Sequence, residues 1–192
     1  MRYHKRLRDA VRWRLERFRA GLQAKRFADL TDQIRCRIEL GFALPQLETM
    51  QSYRRLKFLH DCILRFAPST GVALDVGSYK CSATVFIAKA CTRKHIQHTY
   101  AMDLFTERPS WNSSVDYFSN AQQKITSYGL GDQVTLIRGH SLQYPWKDPI
   151  AVLHINANHA SRVLRQDIQK YSAFLVEGGI VVFDDYDTAT QA

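Results

Sequence analysis

Polar and acidic side chains follow the apolar runs of this sequence at the points where those runs end. The residues concerned are, in chain order, Gly77 with Ser78, Asp103, Gly139 to Ser141, Asn156 to His159, and Asp184 with Asp185. In an open parallel sheet, ligands bind outside the carboxyl ends of the strands. If the apolar runs are parallel strands, these side chains therefore gather at one edge of the sheet and form a candidate ligand site.

The first of these points has the residue order of a nucleotide-binding turn. Residues 72–84 read VALDVGSYKCSAT, an apolar run followed by Gly77 and then by small and polar residues that can begin a helix. Backbone N–H groups at a helix N-terminus lack partners within the helix and bind anionic or polar groups. Asp75 is costly to bury unless it has a partner, such as an ammonium or hydroxyl group of a ligand. The alternative is an ordinary turn in which Asp75 is solvated.

Asp103 is the second candidate for nucleotide binding. It follows Gly77 by about one helix and one strand. At that separation, an acidic side chain can reach the ribose hydroxyls of a nucleotide held at the first turn. The alternative is that Asp103 caps the N-terminus of a helix.

The elements that would position these residues are short strands alternating with helices. The pattern predicts, in order, strand 72–76, helix 82–92, strand 97–102, helix 113–128, strand 133–138, strand 150–155, helix 160–174 and strand 179–183. Such alternation implies a parallel sheet with helices on both faces. The predicted fold is α/β, with a Rossmann-like, doubly wound parallel sheet.

Helices are also predicted before the first strand, and they carry most of the charge. The net charge is +9, and residues 1–26 hold ten Lys or Arg against Asp9 and Glu16, a net of +8. We predict a basic helical extension over 1–47 and a Rossmann-like domain over 48–192. Residues 1–26 fit a solvated helix, a contact with an anionic membrane surface, or a contact with nucleic acid.

The composition narrows the class of protein. The length of 192 residues suits one domain with an appendage, and 45% of the residues are hydrophobic. The four cysteines have no spacing typical of a zinc site, which favours reduced thiols and a cytoplasmic protein. No apolar run is long enough to span a bilayer. The sequence does not indicate the oligomeric state, and a homo-oligomer is one option that it leaves open.

Four motifs together resemble a class I S-adenosylmethionine-dependent methyltransferase, and more narrowly methyltransferase family 24, which includes sugar and small-molecule O-methyltransferases. The motifs are LDVGSYKCSAT, YAMDLF, LIRGHS, and LHINANHASRVLRQDIQKYSAFLVEGGIVVFDDYD. The last is the most specific, because Asp167, Leu175, Gly178 with Gly179, and Asp185 with Tyr186 fall in the register of similar proteins. The resemblance covers about residues 50–188.

The resemblance implies a role for each candidate residue. The methionine end of S-adenosylmethionine would be held by Asp75, Gly77, Ser78 and Tyr79, the ribose by Asp103, and the adenine by His140 and Ser141. His159 would be the catalytic base, and Asp185 would act beside it. Asn156 would adjoin the cofactor and, with Asp184 and Asp185, could bind Mg²⁺, which prefers oxygen ligands. The acceptor would be a hydroxyl of a small molecule or sugar.

The sequence departs from the family pattern at several positions. Cys81 stands where the turn has a second glycine, Asn156 and Asn158 replace two aspartates, and the chain stops after the fifth strand, before the last strands of the fold. Two alternatives to a small-molecule methyltransferase therefore remain open. One is a catalytically degraded protein that acts as an interaction module, and the other is a methyltransferase that binds RNA through residues 1–26.

Overall fold

The computed structural model describes residues 34, 36–38, 51–106, 116–156 and 161–183. The chain divides into two units, Met1–Gln46 and Leu47–Ala192. In the first unit, residues 34 and 36–38 are helical. In the second, the helices are α1 (Tyr53–Phe66), α2 (Ser82–Lys94), α3 (Tyr117–Ser127) and α4 (Ser161–Ser172), and the strands are β1 (Val72–Val76), β2 (Thr99–Asp103), β3 (Val134–Arg138), β4 (Ile150–Ile155) and β5 (Leu175–Phe183).

The five described strands form one parallel sheet in the order β3-β2-β1-β4-β5. From β1 the chain first builds outward through β2 and β3, then returns to place β4 on the other side of β1. The strand order therefore reverses between β1 and β4, and this is the position at which open α/β sheets bind their ligands. The predicted Rossmann-like, doubly wound sheet is confirmed.

The predicted element bounds agree closely with the structure for the buried strands and less well at the last strand. β1 and β4 begin and end where the sequence predicts, because both are wholly buried and read as apolar runs, each with a single polar residue, Asp75 or His154. β5 begins at Leu175, four residues before the predicted start at residue 179. The pairing of β4 with β5 shifts register between Ile150 and Val152, so β5 includes an irregularity that a regular period would not reveal.

Side chains of β1 alternate between two different environments. Val72, Leu74 and Val76 belong to a hydrophobic cluster with Trp146 and Tyr171. Asp75 lies on the opposite face, because successive strand residues point to opposite sides of the sheet. On that opposite face its carboxylate meets Thr84 of α2. The sheet thus has an apolar core on one face and a buried polar contact on the other.

Helix α1 packs by one apolar face, formed by Leu56, Leu59 and Ile63. It begins at Ser52, whose side chain accepts a hydrogen bond from the backbone N–H of Arg55. In the described part of the chain, none of the helices is both long and apolar enough to cross a membrane. None of the four cysteines, all of which the structure describes, forms a disulfide.

Candidate functional site

The turn after β1 is fixed directly to the end of β2. The backbone N–H groups of Gly77 and Ser78 both donate to the carbonyl oxygen of Met102, at 2.8 and 3.3 Å. The N–H of Tyr79 donates to Oδ2 of Asp103 at 2.9 Å. Gly77 and Tyr79 have positive φ angles of 84° and 49°. The fold therefore brings together the turn and the acidic residue that the sequence analysis singled out separately.

Asp75 is fully buried and finds its partners within the chain. Its Oδ1 lies 2.7 Å from Nδ1 of His154 in β4, and its Oδ2 accepts a hydrogen bond of 2.5 Å from the Thr84 hydroxyl. Because the Asp75 carboxyl accepts from Thr84, we assign it as the acceptor of the second contact too, with His154 Nδ1 as the donor. The solvated alternative for Asp75 is wrong. A contact between Asp75 and a cofactor stays a prediction, because each oxygen keeps a second lone pair.

Asp103 ends β2 and accepts hydrogen bonds on both carboxylate oxygens. Besides the Tyr79 contact, Oδ1 accepts from the backbone N–H of Phe105 at 2.8 Å. The carbonyl oxygen of Asp103 accepts from Gly139 N at 3.0 Å, which ties the end of β3 to the same place. The next residue, Leu104, is 46% exposed. The exposed Leu104 side chain can pack against a flat ring, and the neighbouring Asp103 carboxylate can accept hydrogen bonds from hydroxyl groups.

The loop after β3 contains His140 and Ser141 and is held from α4. Two α4 side chains donate to the carbonyl oxygen of Ser141, the Lys170 ammonium at 2.7 Å and the Tyr171 hydroxyl at 2.6 Å. Lys170 also donates to the carbonyl oxygen of Tyr144 at 2.5 Å. His140 is exposed, and Ser141 is half-buried. The loop therefore has a fixed backbone, with His140 accessible to a ligand.

Two further polar groups mark the junction of β1 and β4. The backbone N–H of Asn156 donates to the carbonyl oxygen of Val76 at 2.8 Å, which places Asn156 at the carboxyl edge beside the first turn. The hydroxyl oxygen of Ser78 is buried, and no described residue makes a hydrogen bond of ordinary geometry to it. A buried polar group without a partner costs free energy, so Ser78 fits a contact with a polar ligand group.

Tyr79, Lys80 and Tyr117 form a small aromatic and cationic cluster next to the turn. The two tyrosine rings lie 5.2 Å apart between centroids, and the Lys80 ammonium is 5.5 Å from one ring centroid and 5.7 Å from the other. Lys80 and Tyr117 are both buried. Burial raises the pKa of Tyr79, and neighbouring Tyr117 adds to this, whereas the Lys80 ammonium acts in the opposite direction. This cluster stabilises the turn from the α3 side by cation–π contacts.

Several residues that build the site are absent from the sequence analysis. They are Thr84, Lys80, Leu104, His154, Lys170 and Tyr171. One of them had a readable signal. His154 interrupts an apolar run just as Asp75 does, and two polar residues inside two buried strands indicate a pair. The others are recognisable only from the contacts in three dimensions.

Cys81 begins α2 in the left-handed conformation, with φ at 59° and ψ at 28°. This is the region that glycine adopts without strain, which agrees with the glycine of the family pattern. The thiol is fully buried, and burial raises its pKa to about 12, although contacts with Thr84 and Ser78 act in the opposite direction. A thiol that stays protonated at neutral pH is a poor nucleophile and a poor metal ligand. Cys81 is thus a packed residue in a glycine position.

Replacing Cys81 with glycine is expected to change the free energy of unfolding by less than about 1 kcal/mol, because relief of backbone strain offsets the lost packing of the thiol. Cys91, equally buried within α2, is the matched control. Cys91→Gly relieves no strain and should cost about 2 kcal/mol in packing and helix propensity. Urea denaturation of both variants measures the difference. Equal losses would show that the left-handed Cys81 is unstrained.

The candidates for catalysis and metal binding fall mostly outside the described residues. Asn156 is described, whereas His159, Asp184 and Asp185 are not. The described part of the chain contains no group of three His, Cys, Asp or Glu side chains arranged to hold a metal ion. The roles of His159 as base, of Asp185 beside it, and of Asn156, Asp184 and Asp185 as Mg²⁺ ligands therefore stay predictions.

Solved structures of similar fold include several methyltransferases. The O-methyltransferase NovP matches with a TM-score of 0.61 and 18% identity, over 79% of this chain and 73% of NovP. An rRNA methylase from Streptococcus thermophilus matches with a TM-score of 0.51 and 16% identity, over 70% of this chain and 72% of the methylase. A SAM-dependent methyltransferase from Geobacter sulfurreducens, in complex with S-adenosyl-L-homocysteine, has a TM-score of 0.51 and 20% identity over 72% of this chain and 50% of its own.

The match to a family model assigns the chain to a protein family, which structures of such low sequence identity cannot do. No curated protein sequence matches the chain. The model described as "Methyltransferase domain", that of methyltransferase family 24, matches residues 74–186. This match covers more than half of the chain and includes the turn after β1, Asp103 and the loop after β3. The chain therefore belongs to methyltransferase family 24, among the class I S-adenosylmethionine-dependent methyltransferases.

Proposed function

We propose that this chain transfers a methyl group from S-adenosylmethionine to a hydroxyl oxygen of a small molecule or sugar. The observation that carries the proposal is the hydrogen bond from Tyr79 N–H to Asp103 Oδ2. It joins the turn proposed to hold the methionine end to the carboxylate proposed to hold the ribose. This hydrogen bond fixes the distance between the turn proposed to bind the methionine end and the carboxylate proposed to bind the ribose.

The residues of the described edge fit such a cofactor. Ser78 presents a buried hydroxyl without a partner at the turn, where an amino or carboxylate group would supply one. Asp103 can accept from ribose hydroxyls with the lone pairs that Tyr79 and Phe105 leave open. Leu104 offers an exposed apolar surface to a purine ring, with His140 on the neighbouring loop. When bound, S-adenosylmethionine supplies an electrophilic methyl group.

The proposed chemistry of the chain's own residues is the removal of one proton. His159 would accept the proton of the acceptor hydroxyl, for which a neutral imidazole is suited near neutral pH. Asn156 lies at the required edge, beside the last residue of β1. With Asp184 and Asp185 it would hold Mg²⁺ and lower the pKa of the acceptor hydroxyl, a role to which oxygen ligands are suited. Asp185 would act beside His159.

This proposal and the alternative of RNA methylation differ in the molecule that accepts the methyl group. One solved structure of similar fold is an rRNA methylase, and residues 1–26 carry a net charge of +8. Against RNA, we find no alternation of exposed aromatic and basic residues in the described sheet region, where Tyr117 and Phe105 are buried. Methyl transfer to an oxygen atom is the chemistry that the description "O-methyltransferase" assigns to NovP.

A transfer assay with radiolabelled S-adenosylmethionine tests the acceptor. The purified chain is incubated with a panel of sugars and phenols, and in parallel with total RNA, each with magnesium or with a chelator. Label in the small-molecule fraction supports the proposal. Label in RNA, falling steeply as salt is added, would replace it with the RNA hypothesis. Absence of label in both, from a chain that binds no cofactor, would favour the interaction module.

A further inference from the structure

Asp167 in α4 is a fully buried carboxylate without a partner. Neither of its oxygens accepts a hydrogen bond of ordinary geometry from any described residue. It faces the loop after β3, where the Ser141 hydroxyl and the charge of His140 are near enough to lower its pKa, as is Lys170 on its own helix. Burial outweighs these contributions and raises the pKa of Asp167. A buried carboxyl whose two oxygens both lack a hydrogen-bond partner is unusual in a folded domain.

The residues that follow Asp167 on the same helix hold that same loop. Lys170 donates to the carbonyl oxygens of Ser141 and Tyr144, and Tyr171 donates to that of Ser141. Burial and the nearby Asp167 raise the pKa of Tyr171, so its hydroxyl keeps the proton that it donates. Asp167, Lys170 and Tyr171 lie three and four residues apart, the spacing that places side chains on one helix face. Lys170 and Tyr171 therefore hold the backbone of Ser141 from the helix face that also carries Asp167.

We propose that Asp167 is a positioning residue for cofactor binding, which sets the orientation of Ser141 and His140 while Lys170 and Tyr171 fix their backbone. This inference rests on the proposed function, because the loop is positioned for the adenosyl part of S-adenosylmethionine. Asp167 does not touch the cofactor and acts through Ser141. With Asp167 included, the proposed cofactor site extends from the carboxyl edge of the sheet to one face of α4.

If Asp167 only stabilised the fold, replacing it would lower the stability of the protein. If it positions the loop at a cost in stability, replacing it raises the stability. Because folding raises the pKa of Asp167 above its ordinary value of 3.8, its contribution to stability is present below that pH and is lost as the pH rises through the folded-state pKa. Near neutral pH, a carboxyl whose pKa is raised by folding therefore destabilises the fold relative to a neutral side chain of equal size. The groups that face it are His140, Lys170 and the Ser141 hydroxyl, with Tyr171 beside them.

Asp167→Asn is the variant that tests this difference, with urea denaturation and calorimetric titration of S-adenosylhomocysteine as the two measurements. We expect the urea midpoint to rise at about pH 7, because the buried carboxyl with the raised pKa is removed, and affinity for the ligand to fall by about tenfold or more. Glu177→Gln removes an exposed charge from β5 and should change neither quantity. An Asp167→Asn protein that is less stable, unfolded, or unchanged in affinity would overturn the proposal.

A second variant tests whether Asp167 acts through Ser141. Ser141→Ala should weaken S-adenosylhomocysteine binding, and adding Asp167→Asn to it should weaken binding little further, because coupled residues show non-additive effects. Additive losses would contradict the proposed route. If the wild-type chain binds no S-adenosylhomocysteine, the proposed function fails and this inference fails with it. If the wild type binds and Asp167→Asn binds equally well, the inference alone fails.

Discussion

Replacing Asp75 with alanine is expected to lower the free energy of unfolding by about 2–6 kcal/mol, because two buried donors would each lose their acceptor at roughly 1–3 kcal/mol apiece. The donors are Thr84 Oγ1 and His154 Nδ1, and both side chains are buried with Asp75 at the interface of β1, β4 and α2. A loss of this size is a large share of the stability of an ordinary domain. Urea denaturation followed by circular dichroism measures it.

The controls for Asp75 separate the lost contact from a general effect of mutation. Asp132→Ala removes an exposed carboxylate in the turn before β3 and should change stability by less than about 0.5 kcal/mol. Adding His154→Ala to Asp75→Ala should cost less than the sum of the two single losses, since both remove the same hydrogen bond. If Asp75→Ala were as stable as the wild type, the buried pair would not hold β1 to β4.

Replacing Asp103 with alanine is expected to weaken S-adenosylhomocysteine binding by about 10- to 140-fold, the equivalent of a lost hydrogen bond to a charged group at about 1.5–3 kcal/mol. The carboxylate is proposed to accept from the ribose hydroxyls, and it also fixes Tyr79 N–H and Phe105 N–H. Removing the Asp103 carboxylate therefore has two effects: it removes a contact with the ligand, and it loosens the turn after β1. Calorimetric titration measures the change in affinity.

Asp103→Asn is the graded control for that experiment. An amide oxygen can still accept from Tyr79, so the turn is retained while the charge is lost, and the affinity should fall between those of the wild type and Asp103→Ala. Asp132→Ala again serves as a distant carboxylate that should leave binding unchanged. Wild-type affinity in Asp103→Ala would show that the ribose is not held here.

The architecture of this chain was predictable because its inner strands are buried on both faces. β1 and β4 read as short apolar runs with one polar residue each, and a wholly buried run of this kind leaves little freedom in where the strand begins. β5 was harder, since Gly178 and Gly179 lie inside it. Gly178 has a φ of 73°, and a Cβ on Gly179 would lie 2.9 Å from the carbonyl oxygen of Val176. Both glycines lie within an irregular strand, whereas the sequence predicted that Gly178 precedes the strand and that Gly179 begins it.

The sequence predicts which residues lie at the carboxyl edge of the sheet, but it does not predict the contacts that they make. Gly77, Asp103 and Ser141 follow apolar runs, so their place at the carboxyl edge follows from the parallel topology alone. The partner of Asp75 lies 79 positions away in β4, and their pairing depends on a strand order that local sequence does not encode. Asp167 matched the family register by resemblance. Only the structure shows that its carboxylate has no partner and faces Ser141.

The measurement that tests this account most directly is calorimetric titration of S-adenosylhomocysteine into the wild-type chain, alongside Asp103→Ala and Asp132→Ala. The account predicts saturable binding with one site per chain, retained in Asp132→Ala and weakened in Asp103→Ala, because Asp103 is fixed beside the first turn to meet the ribose. A folded wild-type chain that takes up no ligand would contradict the proposed cofactor site. Equal binding by all three proteins would contradict the assignment of Asp103.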